Sequence, residues 1–67
     1  MIRTEIFESS SQNYHTCFEN ALIDVNNLIE KEGLKKEDIL EYRTKEWVSG
    51  SGFDCYYHVK IIISYWK

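Results

Sequence analysis

Hydrophobic and polar positions change their period twice along this chain. From Ile2 to Phe7 they alternate, with Ile2, Thr4 and Ile6 on one face and Arg3, Glu5 and Phe7 on the other. That period of two predicts a strand. Ser9-Ser10-Ser11 reads as its end, and Ser9 with Gln12 three residues on matches a capping box at the start of a helix. Tyr14, Phe18, Ala21, Leu22, Val25, Leu28 and Ile29 then recur at the three-and-four spacing of an amphipathic helix. Gly33 suits the left-handed position that ends such a helix, with Leu34 and Ile29 as the apolar pair of a Schellman cap.

After the charged linker Lys35-Lys36-Glu37-Asp38 the period returns to two. Ile39 to Val48 predicts a second strand and Phe53 to Trp66 a third, joined by Gly50-Ser51-Gly52, whose glycines tolerate the positive φ of a tight hairpin. A turn centred on Gly50-Ser51 sets Leu40 opposite Ile61, Tyr42 opposite Val59 and Thr44 opposite Tyr57 on the core face. On the other face it sets Glu41 opposite Lys60, Ile39 opposite Ile62, Arg43 opposite His58 and Lys45 opposite Tyr56. The expected fold is α+β: a β-α-β-β chain forming a three-stranded antiparallel sheet with one helix packed on one face, residues 1–67 making a single domain.

Composition narrows the function classes. Sixty-seven residues with 8 Lys+Arg against 11 Asp+Glu give a net charge of −3, which argues against a binder of nucleic acid polymers working by phosphate neutralisation. No apolar run approaches the ~20 residues of a membrane-spanning helix, and the N-terminal segment lacks the apolar stretch of a signal peptide. Two cysteines without an export signal read as reduced thiols, so a cytoplasmic location is expected. A chain this short buries only ~60% of the surface its unfolded form exposes, which makes a lone copy marginal and favours a homo-oligomer.

The candidate site follows from the helix covering only one face. The opposite face is read as carrying Phe7, Ile39, Trp47, Tyr56, Ile62 and Trp66 among Arg43, Lys45, Asp54, His58 and Lys60. Apolar area of that extent marks an interface or a ligand groove. Trp47, Tyr56 and Trp66 are the candidate stacking residues for a small planar ligand of nucleotide or flavin type. Arg43 and Lys45 would take its negative charge, and His58 would hydrogen-bond to it. The competing reading is a protein–protein interaction module whose aromatic face docks a macromolecular partner.

Metal and catalytic chemistry find less support. His15 with Cys17 and Cys55 with His58 supply zinc-ligand types, but residues i and i+3 of a strand point to opposite faces and residues i and i+2 of a helix diverge. Asp54, Tyr56, His58 and Lys60 share one side of a strand, yet no Gly-rich phosphate loop or nucleophile elbow accompanies them. The chain is expected to be non-enzymatic, with neither metal nor cofactor.

Two family resemblances accompany this reading. The opening Met1-Ile2-Arg3-Thr4-Glu5-Ile6-Phe7, the stretch Phe18-Glu19-Asn20-Ala21, and Ile39-Leu40-Glu41-Tyr42 followed by the Tyr- and Ile-rich last strand resemble the small sigma-E-controlled sporulation protein family. That resemblance implies no activity. The element order and a tryptophan on the second strand, Trp47, are similar to dodecins, and imply assembly into a shell with flavins stacked between tryptophans.

Overall fold

The computed structural model describes Met1–Lys67. Strand β1 (Ile2–Ser11) leads into helix α1 (Tyr14–Glu32), a 3-10 turn (Lys36–Asp38), and the hairpin strands β2 (Ile39–Ser49) and β3 (Tyr56–Trp66). The sheet order is β1-β3-β2, with both neighbours antiparallel to β3. The fold is α+β as expected, and β3, the strand richest in isoleucine, takes the centre.

Helix α1 starts later than the serine pattern suggests. Pairing with β3 carries β1 on through Ser11, which lies opposite Tyr57. Ser9 therefore belongs to the ladder, and the cap is Asn13, whose side chain accepts from the Thr16 backbone N–H at 3.1 Å. A full backbone ladder outcompetes the local side-chain cap that a serine offers. The far end is as expected. Gly33 sits at φ 62°, its N–H donating to the Glu30 carbonyl at 3.3 Å and that of Leu34 to Ile29 at 3.0 Å.

Cys17, Ala21 and Val25 project from α1 onto Val59, Ile61 and Ile63 of β3 and form the sealed core, with Phe7, Phe18, Leu22, Leu28, Ile29, Ile39 and Tyr57 packed around it. Phe7 lies opposite Ile61 and Ile39 opposite Tyr65, so both face the helix rather than the open side. Ile2 and Ile6, opposite Trp66 and Ile62, take their places on the open face. For β1 the alternation was legible but its polarity was not, because Ile2, Ile6 and Phe7 are all apolar.

The hairpin register also differs. Residues 50–55 all lie outside the strands, with the Asp54 N–H bonded to the Ser51 carbonyl at 3.2 Å and Gly50 and Gly52 at φ 88° and 63°. This wider loop pairs Ser49 with Tyr56, Trp47 with His58, Lys45 with Lys60 and Arg43 with Ile62, a shift of four residues from a two-residue turn. An even shift leaves each of these residues on its expected face. A bulge between Ile39 and Glu41 breaks the pattern at the start of β2.

The helix lies mainly over β1 and β3. Strand β2 is consequently exposed from Leu40 to Ser49, including Tyr42 and Val48 on its helix-side face. Its one side-chain hydrogen bond to the helix runs from the Tyr14 hydroxyl to Glu46 Oε1 at 2.9 Å, which raises the Tyr14 pKa above its usual value, with desolvation and the carboxylate charge adding to the effect. At the opposite end Lys67 closes the structure: its N–H bonds the Met1 carbonyl at 2.9 Å and its ammonium pairs with Glu32.

Candidate functional site

Cross-strand rows organise the open face, because residues paired across three strands stand side by side on it. One end row joins Ile2 to Trp66. Next come Thr4, Ser64 and Glu41, then Ile6, Ile62 and Arg43, then Glu8, Lys60 and Lys45, then Ser10, His58 and Trp47, and last Tyr56 with Ser49. The apolar residues thus collect at the Trp66 end, a charged row crosses the middle, and an aromatic–polar group fills the hairpin end.

That hairpin end is the most organised part of the face. The Trp47 indole stacks on the His58 imidazole with centroids 5.2 Å apart and planes 11° from parallel. Each ring nitrogen of His58 meets a serine hydroxyl, Nδ1 with Ser10 Oγ at 2.7 Å and Nε2 with Ser49 Oγ at 2.6 Å. A hydroxyl donates or accepts as required, so the pair satisfies either neutral tautomer and the imidazolium alike. His58 is thereby fixed from both flanking strands, and it holds one face of the Trp47 ring. The indole remains 45% exposed on the edge strand. Sequence reasoning missed the two serines because it read Ser9-Ser10-Ser11 as a strand end and placed Arg43, not Trp47, opposite His58.

Lys45 stands on the same face as Trp47, two residues away along β2, roughly 6.6 Å at strand rise. Its cross-strand neighbour is Lys60, a like-charge pairing that is unfavourable in isolation. Lys60 Nζ lies 3.8 Å from Glu8 Oε1, whereas Lys45 makes no salt bridge. Arg43 is engaged along its own strand by an ion pair with Glu41. The register therefore does not form the expected contacts of Arg43 with His58 or Lys45 with Tyr56; His58 meets Trp47, and Tyr56 meets Ser49.

The six candidate residues share one face but not one site. Trp47, Tyr56, His58 and Lys45 converge at the hairpin end. Arg43 lies about 13 Å from Trp47 along the strand, and Trp66 about 26 Å beyond His58. A small ligand held at Trp47 reaches Trp66 only on another chain.

Elsewhere the chemistry is structural. Cys17 is buried with its thiol 3.2 Å and 3.3 Å from the Ser9 and Tyr57 carbonyls, where it donates its proton. Cys55 lies in the hairpin loop, and no three His, Cys, Asp or Glu side chains gather as a metal cluster. On the helix side of the hairpin end, Tyr14, Glu46, Val48 and Tyr57 line a cleft of about 280 Å³ that extends to Trp47 and His58. No helix is long and apolar enough to cross a membrane. No family model, curated protein or solved structure matches the chain.

Proposed function

We propose that this chain is a non-enzymatic, self-associating protein that binds and sequesters a small planar anion of nucleotide or flavin type at the hairpin end of its open face. The observation that carries the reading is the preset Trp47–His58 stack beside the Lys45–Lys60 pair. One face of the indole is backed by an imidazole held on both sides, so a second planar group stacks on the outer face with little ordering left to do. The two ammoniums, with only Glu8 nearby to offset them, receive the negative charge. Tyr56 extends the aromatic floor. Trp66 joins the site only if a partner chain supplies it.

The test is isothermal titration calorimetry with adenosine monophosphate and flavin mononucleotide. Base–aromatic stacking of ~1–3 kcal/mol per base predicts that Trp47→Ala weakens binding by about tenfold to a hundredfold. Lys45→Ala weakens it less, and the difference shrinks as salt rises. Saturable binding that survives Trp47→Ala unchanged overturns the site assignment.

A second reading has its own observation. Strand β2 is exposed on both faces and has a free edge, the geometry to which a macromolecular partner adds a strand. That partner would protect β2 amides from hydrogen exchange, whereas a small ligand at Trp47 would not.

A further inference from the structure

The open face carries a pattern that selects one occupant and one orientation. We infer that a second copy of the chain packs on it about a two-fold axis parallel to β3, so that Glu8 of each chain meets Lys45 of the other. This inference rests on the self-association reading and specifies its geometry.

Surface area comes first. The chain exposes 4914 Å², whereas a compact monomer of 8.0 kDa exposes about 4,450 Å². The excess coincides with an unpartnered sheet face. Three strands of about eleven residues present roughly 14 by 36 Å, or about 500 Å² before side-chain relief is added. Half-exposed Ile2, Ile6, Trp47, Tyr56 and Trp66 supply that relief and bring the face towards the ~800 Å² per partner of a stable interface.

The rows then fix the orientation. Sheets packed face to face keep their strands within about 30° of alignment at ~10 Å separation. Of the two possible in-plane two-folds, one perpendicular to the strands lays the Ile6–Ile62–Arg43 row on the partner's Glu8–Lys60–Lys45 row. That buries isoleucines under charges and sets Arg43 against Lys45. The axis parallel to β3 exchanges β1 and β2 while keeping each row opposite itself. Ile62 meets Ile62 and Trp66 meets Trp66. The charged row meets its own reverse, so the carboxylate on β1 lies opposite the unpaired ammonium on β2. Two such opposite-charge contacts per dimer outweigh the single Lys60–Lys60 approach on the axis, and Ile6 lies beneath the stem of the other chain's Arg43. Each chain contributes Lys45, Lys60 and Glu8, one positive charge in excess, so the dimer places two positive charges in the row beside the Trp47 rings. The same axis sets each Trp47 opposite the small Ser10 of the other chain, and a ligand stacked on the indole would lie between them.

The test uses exposed positions, so the fold is not at risk, and circular dichroism verifies it. Sedimentation equilibrium is run on the natural chain, on Glu8→Lys and Lys45→Glu separately, and on an equimolar mixture of the two variants. Each variant alone sets like charges against each other twice across the axis, and its dimer should weaken by about tenfold or more. The mixture should dimerise about as well as the natural chain, because a heterodimer restores both opposite-charge contacts, which no effect within one chain can do. A dimer indifferent to both substitutions, or a mixture no better than its components, overturns this orientation and leaves self-association standing. A natural chain that stays monomeric at high micromolar concentration overturns both.

Discussion

Strand β3 presents two faces with the same alternation and opposite fates. Towards the helix, Val59, Ile61, Ile63 and Tyr65 are sealed at 1% exposure or less. Towards the open side, Tyr56, His58, Ile62 and Trp66 stand among charges, with Trp66 56% exposed. One strand thus supplies the core and, through a mixed row of aromatic, apolar and charged residues, a surface that a 67-residue chain has no second layer to cover. Burial of the first face holds the monomer together; exposure of the second leaves it something to bind.

Adjacent isoleucines break this comparison most sharply. Ile61→Ala empties a position touched by helix and sheet together, and should cost about 2–5 kcal/mol in chemical denaturation. Ile62→Ala, one residue away on the open face, should cost the isolated monomer less, about 1–2 kcal/mol, since this half-buried side chain packs only against its neighbours on the sheet. The same substitution should raise the concentration at which half the chains associate, so its effect grows with protein concentration while that of Ile61→Ala does not. Equal, concentration-independent losses at both positions would erase the distinction.

Tyr65 and Trp66 give the same contrast a second time, about 26 Å along the sheet from the Trp47 stack. Trp66→Ala should weaken assembly and leave the Trp47–His58 stack intact, measured by the fluorescence of the remaining tryptophan. The smallest expected effect lies on neither face. The hydrogen bond from the Lys67 ammonium holds the Glu32 carboxyl below the usual carboxylate range, against a partial counter-effect of desolvation. A carboxyl that binds its proton more weakly when folded stabilises the fold above its unfolded value and loses that contribution as pH falls through the folded one. Glu32→Gln should therefore lower thermal stability slightly at neutral pH and flatten its decline on acidification. A variant whose acid limb matches the natural chain would remove this ion pair from the account.

Much of the fold was legible because the residues involved admitted one reading. Gly33 after an Ile29–Leu34 pair specified its cap, and the apolar stripe of α1 had one orientation. Two features were not legible, each for a physical reason. In β1 both faces carry apolar residues, so alternation could not say which one the helix covers, and Phe7 went to the wrong side. In the hairpin, two glycines separated by Ser51 fit either a tight turn or a wider loop. Phe53, fully exposed in that loop, reads by composition as a strand residue. The error of four in register kept the faces but exchanged the partners. The open face was therefore foreseen with most of its aromatic residues, while the Ser10–His58–Ser49 clasp and the Trp47–His58 stack were not.

The most direct test of a self-associating, ligand-holding open face is native mass spectrometry of the protein as purified from cells, run beside Trp47→Ala. A discrete oligomer carrying a bound species of a few hundred daltons, retained by the natural chain and lost from the variant, is the expected result. A bare monomer in both samples would contradict the account.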